Sequence, residues 1–236
     1  MSQSVADRAP RTSARKSSGD RRNVRGEATR QLILAAAERL FAEHGISAVP
    51  LRDIGIEAGQ KNHAAVQYHF GDREGVVKAL MEFRGAESES VRTDIVTGLM
   101  AGGTVPVVAD VVGAFVRPLA VHLGPDNHYL AFLSLLITEQ GGYEGLGGDV
   151  HTGASVISLR ALLGRLVPDV PEEVLDERWI VTLTSAVHAL ARYQAAQLRR
   201  AQRAKLDVLI VDLIAYLSAG LVAPLVTGDP RVAITD

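Results

Sequence analysis

The sequence contains no cysteine, so disulfide bonds and thiolate metal sites are excluded. Long hydrophobic runs are also missing, because the most apolar stretch, residues 213–226, is too short to span a bilayer and contains Ser218 and Pro224. The N-terminus is polar and lacks the apolar segment of a signal peptide. From these absences we expect a cytoplasmic protein.

Motifs that mark common enzymes are absent as well. The sequence has no P-loop, no GxGxxG and no GxSxG. Its seven histidines include no pair four residues apart and no HExxH, so we predict no catalytic residue, no metal site and no cofactor. His188 lies in an apolar helical stretch and is interpreted as a core or pocket histidine rather than as a metal ligand. We therefore expect that the protein is not an enzyme.

Charge is distributed unevenly along the chain. A hydrophobic content of 47% and a charged content of 22% are ordinary for a globular protein. The net charge of −2, however, divides into +4 for residues 1–80, with 13 basic and 9 acidic residues, and −6 for the remainder. A basic end on an acidic body is typical of a protein that contacts nucleic acid at one end only.

Residues 1–28 have the composition of a disordered basic segment. They contain Ser, Ala and Gly without an apolar periodicity that could form a packed element. Two roles remain open, an arm that contacts DNA phosphates or a minor groove, and a solvated tail. The basic residues are Arg8, Arg11, Arg15, Lys16, Arg21, Arg22 and Arg25.

The next segment, residues 29–72, predicts three short helices. Apolar residues recur at helical spacing over 29–44, and Gly45 follows where a left-handed helix cap is expected. A second, shorter helix is predicted over 51–58, closed by Gly59. These two helices are amphipathic, so they need a partner to cover their apolar sides.

A third helix is predicted over 63–70, with Asn62 as its N-cap and with Val66 and Phe70 facing inward. In a helix-turn-helix, the second helix of the pair enters the DNA major groove. The polar side chains around this helix are of the types that contact bases and phosphates. The predicted DNA-contacting residues are Arg52, Lys61, Asn62, His63, Gln67, Tyr68 and His69.

These residues resemble the TetR-type family of bacterial transcriptional regulators over about 52 positions. The resemblance rests on four pieces in order: TRxxILxAAxxLFAExG at 29–45, LRDI and AG within 51–59, YHF at 68–70 and the acidic-basic helix start at 72–74.

Three features depart from the family pattern. Nine residues rather than the usual eight separate the AG and HF pairs, Gln67 stands where an aromatic residue is usual, and Pro50 replaces a capping Ser or Thr. The extra residue can displace the base contacts by one position. These departures leave open a family member that senses a ligand or a protein but has lost operator binding.

The chain after residue 72 has a helical pattern to its end. We predict a helix near 73–99, with Asp72 as its cap and a bend or break at Gly85. Further helices are predicted near 107–121, 127–140, 154–166, 171–199 and 204–220, with a mobile loop at 141–148. The expected fold class is all-α. The expected domains are the arm at 1–28, a helix-turn-helix head at 29–72 and a larger helical ligand-binding and dimerisation domain at 73–236.

The resemblance implies a homodimer in which the last two helices of each subunit form a four-helix bundle. The last helix is apolar almost all round, which indicates burial on more than one side, although a core helix of a monomer remains an alternative. The expected interface residues are Leu183, Val187, Leu190, Leu209, Leu213 and Leu217.

The resemblance also implies that helices four to seven enclose a small-molecule pocket, and that the ligand moves the two heads away from operator spacing. Because Glu139 is the one charged residue of the sixth helix, an apolar effector is favoured. The function expected is a ligand-responsive repressor that binds a palindromic operator as a homodimer. The expected pocket residues are Phe83, Phe115, Tyr129, Phe132, Leu136 and Trp179.

Overall fold

The computed structural model describes residues 16–62, 64–139, 153–201 and 204–225. Over these residues it contains nine α-helices, one 3-10 helix and no strand, which confirms the predicted all-α class. None of the described helices is long and apolar enough to cross a membrane. The elements are α1 (Lys16–His44), α2 (Leu51–Glu57), α3 (Ala65–Phe70), α4 (Arg73–Ala101), α5 (Val108–Leu119), the 3-10 helix (Ala120–His122), α6 (Tyr129–Glu139), α7 (Ala154–Leu166), α8 (Glu172–Leu198) and α9 (Leu206–Leu221).

The first helix begins at Lys16, well before the start predicted at residue 29. Residues 16–28, expected to be disordered, are helical in the structure, whereas residues 1–15 lie outside the described part of the chain. Local bonds support the extension, because the Thr29 hydroxyl donates to the Arg25 carbonyl at 3.0 Å. Arg, Ala and Glu favour helix in any case, so a helix can extend there without an apolar stripe.

Helices α1 to α3 form the head around a small apolar core. Ile33 and Phe41 of α1, Ile54 of α2 and Val66 of α3 are all fully buried or nearly so. The stripes found in the sequence therefore face one another as predicted. Leu80 of α4 is also fully buried in the core cluster that contains these residues, so the long fourth helix helps to cover the head.

Helix α4 runs from the head into the body without interruption. Its N-cap is Asp72, whose carboxylate accepts a hydrogen bond from the Gly75 N–H at 2.8 Å, as predicted. The break expected at Gly85 is absent. A Cβ at this glycine would lie 3.5 Å from the Tyr129 hydroxyl oxygen, an ordinary contact distance, so a side chain is not excluded there.

The body is built around α5, whose residues 111–116 are buried on every side. It packs against α4, α7, α8 and α9. An almost entirely apolar helix is expected at such a central position, because every face must meet another helix. The elements that surround α5 position the cavity described below.

Helix α9 packs on α5 and α8 through its leucine stripe. Leu213 and Leu217 are buried inside the subunit, and Ile214 lies 3.6 Å from the position that a Cβ on Gly113 of α5 would take. The prediction that placed Leu213 and Leu217 at a dimer interface is therefore corrected. The periodicity identified two apolar faces of this helix but assigned the inward one to the partner.

Candidate nucleic-acid interface and effector cavity

The α2–turn–α3 unit is held by its backbone and by Asn62. Helix α2 begins directly after Pro50, and Gly59, with a φ of 69°, lies in the turn that follows α2. The Asn62 side-chain oxygen accepts a hydrogen bond from the Ala64 N–H at 3.0 Å, and its carbonyl accepts one from Ala65 N–H at 3.0 Å. Asn62 thus stabilises the first turn leading into α3, close to the capping role predicted for it.

The surface of this unit is polar. The Tyr68 side chain is 85% exposed, while Val66 on the opposite side of α3 is buried. The Tyr68 ring contacts the neighbouring His69 ring edge-on, with ring centres 5.1 Å apart, and is otherwise directed to solvent. Of the predicted DNA-contacting residues, the structure exposes Arg52, Lys61, Asn62, Gln67 and Tyr68 and half-exposes His69, whereas His63 lies outside the described residues.

Ion pairs hold α2 in place against α1. Arg39 of α1 bonds Glu57 of α2 and also pairs with Glu43 at 3.1 Å. The hydrogen bonds that Arg39 donates, first to Glu57 and then to Glu43, hold the pKa of Arg39 above its ordinary value. Arg39 therefore links α1 to α2 within the head, and we do not count it among the DNA contacts.

Arginine side chains also contact the two ends of the α2–turn–α3 unit. Arg73, at the start of α4, donates to the Val49 carbonyl at 3.0 Å. Arg30 of α1 lies over the Phe70 ring, 5.3 Å from its centre. Phe70 is only partly buried, so this cation–π contact covers part of the ring that the apolar core leaves open.

Two glutamates join the head to α6. Glu139, at the end of α6, accepts hydrogen bonds from the N–H groups of Ile46 and Ser47 in the loop after α1, each at 2.9 Å. Burial alone would raise the pKa of Glu139. The two backbone hydrogen bonds, the Ser47 side chain and the charge of Arg73 outweigh it and lower that pKa.

The second glutamate is Glu38 of α1, which is almost fully buried. Its carboxylate pairs with Arg84 of α4 at 2.5 Å and accepts a hydrogen bond from the His128 N–H, just before α6, at 2.7 Å. Phe41 of α1 also stacks on Phe132 of α6, with ring centres 6.1 Å apart. The head therefore contacts α6 at both of its ends and through an aromatic pair.

A cavity of about 290 Å³ lies in the body, between α4, α5, α6, α7 and α8. Among the residues predicted for the pocket, Phe115 and Tyr129 line this cavity, and Trp179 lines a more open one of about 390 Å³ between α7 and α8. The other three predicted pocket residues, Phe83, Phe132 and Leu136, line neither cavity. Phe132 and Leu136 are fully buried in the core, and Phe83 is 40% exposed on α4.

The wall that α4 contributes carries charge that the sequence analysis did not single out. Glu82, Glu89 and Arg92 all line the cavity. Glu89 and Arg92 are three residues apart and pair at 2.8 Å. Such spacing on a helix is normally that of a solvent-exposed ion pair, so nothing in the pattern distinguished this pair from a surface one.

Two histidines in the body have defined partners or surroundings. His188 Nδ1 lies 2.6 Å from the Ser134 hydroxyl, which agrees with a satisfied pocket or core histidine. His122 is completely buried and stacks edge-on against Tyr129. Burial, followed by the charges of Arg84 and Arg92, lowers the pKa of His122 to about 4, so it is neutral at pH 7.

In the described part of the chain, no cluster of three or more His, Asp or Glu could hold a metal ion.

An apolar surface remains on α8 and α9. Leu183, Val187 and Leu190, predicted for the interface, are buried within the subunit, and Leu209 is partly buried. The assignments of Leu183, Val187 and Leu190 are corrected with those of Leu213 and Leu217, whereas that of Leu209 stays a prediction. The side chains that reach the surface lie between the buried leucines. The exposed large apolar residues of α8, of α9 and of the position after α9 are Val181, Leu198, Val208, Val211, Tyr216 and Val222.

Comparisons with known proteins bear on the head. Residues 33–80 match the model of the family described as bacterial regulatory proteins, tetR family. No protein with curated annotation matches the chain significantly.

Solved structures are similar to the chain at low sequence identity, and the first two named here are described as TetR-family regulators. A regulator from Mesorhizobium loti is 16% identical, with 84% of this chain and 96% of the other covered and a TM-score of 0.47. One from Streptomyces coelicolor is 22% identical, with coverage of 82% and 94% and a TM-score of 0.45. Salmonella enterica GusR is 17% identical, with coverage of 83% and 95% and a TM-score of 0.49. Over residues 33–80, then, this chain is similar to the bacterial regulatory proteins of the tetR family.

Proposed function

We propose that the protein is a homodimeric transcriptional repressor that binds a palindromic DNA operator and is released from it by a small molecule. The observation that carries the proposal is the coincidence of the family match over 33–80 with an exposed polar surface on α3 and the preceding turn. In this arrangement Lys61, Asn62 and Gln67 contact bases, and Arg52, Tyr68 and His69 contact bases or phosphates. His63 stays in the proposed set from its sequence position.

The proposed domain arrangement follows from the same arguments. The head ends near residue 72, and residues 73–236 form the ligand-binding and dimerisation domain. The protein acts in the cytoplasm without an enzymatic activity of its own.

The proposal of a dimer is supported by the exposed face of α9. Val208, Val211 and Val222 lie at helical spacing on the side opposite the leucine stripe, and each is at least half exposed. In a monomer this second apolar face of the last helix would remain exposed to water. A two-fold dimer through this face and Val181 of α8 would place two copies of α3 at a fixed separation, which is what a palindromic site requires.

The route from effector to head is proposed to run through α6. Tyr129 and Leu133 of α6 line the cavity. The same helix contacts the head through Glu139 at one end and, at the other, through the bond from the His128 N–H to Glu38. A molecule that displaces α6 therefore displaces the loop between α1 and α2, and the two heads no longer match the operator spacing.

A family member without operator binding is the alternative. Pro50 makes no side-chain cap bond to α2, so the phosphate-contacting cap usual in the family is missing. The alternative therefore differs from the proposal in a single measurable property, which is specific binding to duplex DNA.

Selection from a pool of random duplexes with the purified full-length protein tests the proposal. We expect recovery of a palindromic sequence, bound at nanomolar concentration at physiological salt. Lys61→Ala should weaken binding to the recovered site by about tenfold or more. Lys205→Ala, at the exposed start of α9, is the matched control and should bind as wild type does. No enriched sequence would favour the alternative. Equal loss in both variants would show that Lys61 makes no specific contact with the recovered site.

A further inference from the structure

Arg92 is a buried cation in the wall of the effector cavity. The residue is 5% exposed, lies in the middle of α4 and faces the cavity with Phe115, whose ring centre is 5.2 Å from the guanidinium carbon. Arginine is always charged in proteins, and burial of its charge is costly unless partners are supplied. The partners that this arginine has are therefore informative.

The one acidic partner of Arg92 found in the described part of the chain is Glu89. The carboxylate of Glu89 is also hydrogen-bonded to α7. Its two oxygens accept hydrogen bonds from the Ser155 N–H at 3.0 Å and the Ser155 hydroxyl at 2.6 Å, at the start of α7. Gly153 makes this approach possible, because a Cβ there would collide with the Glu89 carboxylate. The negative charge of Glu89 is thus shared between the first turn of α7 and a single nitrogen of Arg92.

The guanidinium of Arg92 is satisfied only in part. Arginine has five N–H donors, and among the described residues the bond from Nη1 to Glu89, at 2.8 Å, is the one hydrogen bond found for it. Nε is buried and has no partner there. An unmade hydrogen bond from a buried charged group is destabilising, so the free protein presents a donor set that an incoming acceptor would complete.

Apart from Glu82, which is exposed to solvent, and Ser88, the remainder of the cavity wall is apolar. Leu119 of α5, Leu133 of α6, Val156 of α7 and Val187 of α8 face the same space as Arg92. A volume of about 290 Å³ is near the lower limit for small-molecule sites, so the occupant is compact.

We propose that the effector is a compact monocarboxylate, whose carboxylate pairs with Arg92 and whose apolar body fills the space between α5, α6, α7 and α8. The proposal rests on the effector-responsive function proposed above and specifies the chemistry of its ligand. It also revises the expectation of an apolar effector. That expectation followed from the near absence of charge on α6, whereas the charge in this cavity comes from α4.

The test is calorimetric titration of the full-length protein with two matched probe series. One series is the straight-chain carboxylates from hexanoate to dodecanoate together with 3-phenylpropanoate, and the other is the corresponding primary alcohols. Each pair differs in the ionised group and little else. We expect the acids to bind about ten- to a hundredfold more tightly than their alcohols, as a charge-assisted hydrogen bond would provide.

Arg92→Met should bring the ratio of acid to alcohol affinity close to one, and Arg92→Lys should retain part of the preference. Arg165→Met, an exposed arginine on α7, is the matched control and should behave as wild type does. A role of Arg92 confined to holding α4 on α5 would alter stability without changing the ratio of acid to alcohol affinity. The wild-type comparison remains decisive if Arg92→Met does not fold.

Equal affinity for the acids and their alcohols overturns the proposal, and so does the absence of binding by every acid of the carboxylate series. DNA binding measured without any probe separates this failure from failure of the proposed function. A protein that binds its selected duplex but no acid has the proposed function with another ligand. A protein that binds acids through Arg92 but binds no duplex retains the ligand site and lacks the regulatory role.

Discussion

A Cβ on Gly45 would lie 2.9 Å from Oε1 of Glu139. Gly45 ends α1 in a left-handed conformation, with a φ of 89°, and it also leaves the space that the α6 carboxylate occupies. The same glycine therefore meets a local requirement of the helix end and a tertiary requirement of the link between the head and the body.

Gly45→Ala should destabilise the protein more than Gly59→Ala does. Both glycines have positive φ, at 89° and 69°, so both variants incur about 1–2 kcal/mol of backbone strain. At Gly59 nothing lies within 4 Å of the new Cβ, whereas at Gly45 the Glu139 carboxylate must move and its bonds to Ile46 and Ser47 weaken. The extra cost should be about 1–2 kcal/mol in denaturant unfolding.

A double-mutant cycle provides the control for this prediction. In a Glu139→Ala background the carboxylate is gone, so the difference between Gly45→Ala and Gly59→Ala should disappear. A difference that persists there would mean that Gly45 is needed for its backbone conformation alone.

The burial of His122 should make the protein less stable in mild acid. Because the pKa of His122 falls to about 4 on folding, the unfolded chain binds a proton from about pH 6.5 downward and the folded chain does not. Stability attributable to this group is therefore complete above pH 6.5 and is lost as the pH falls toward 4, by about 3 kcal/mol in total.

His122→Phe should flatten the unfolding free energy between pH 7 and pH 5, since the ring can still pack on Tyr129 but cannot be protonated. The measurement is chemical denaturation across that range. His44→Phe, which alters an exposed histidine, should keep the wild-type slope. An unchanged slope in His122→Phe would show that other groups cause the acid sensitivity.

The sequence predicted the helices well where a stripe and its end signals agreed. Helix α7 was predicted at 154–166 and is found as Ala154–Leu166, between glycine and proline positions that punctuate the chain. Asp72 was identified as the cap of α4 because a carboxylate there can accept the free N–H groups of the first turn. Such signals are local, so a single chain suffices to find them.

Tertiary choices were harder to predict. Both faces of α9 are apolar, and periodicity cannot say which of them meets α5 and which reaches the surface. The Glu89–Arg92 pair has the same spacing as an ion pair in solvent, so its position inside a cavity depends on how α4 is packed. The contact from Glu139 to Ile46 joins residues far apart in the chain, and no local pattern indicates it.

The basic residues ahead of α1 give a prediction about salt. Because α1 begins at Lys16, deletion of residues 1–15 removes Arg8, Arg11 and Arg15 and leaves the helix whole. If these arginines hold phosphates, the log-log slope of operator affinity against salt should become shallower by about 0.9 for each phosphate that is no longer neutralised.

The matched control for the deletion is a full-length protein in which the same three arginines are replaced by glutamine. It should show the same change of slope, since the effect belongs to the charges and not to the length of the segment. Fluorescence anisotropy from low to physiological salt measures both proteins. An unchanged slope and affinity at low salt would identify the segment as a solvated tail.

Adjacent positions on α9 distinguish the dimer interface from the subunit core. Val211 is 62% exposed in the subunit, whereas Leu213, two residues later, is 9% exposed and packs inward. Val211→Asp should leave the fold intact and separate the dimer, because it places an unpaired charge in an apolar interface twice. Leu213→Asp should instead unfold the subunit. Val105→Asp, at an exposed loop position, is the control and should stay dimeric.

Sedimentation velocity at low micromolar concentration, with circular dichroism of each variant, decides between these outcomes. A folded Val211→Asp monomer should also lose at least about a hundredfold in operator affinity, because two heads that are no longer joined bind independently. The loss would occur with the head unaltered in sequence and in structure. A wild type that sediments as a monomer, or a Val211→Asp protein that remains dimeric and binds the operator normally, would place the interface on another surface.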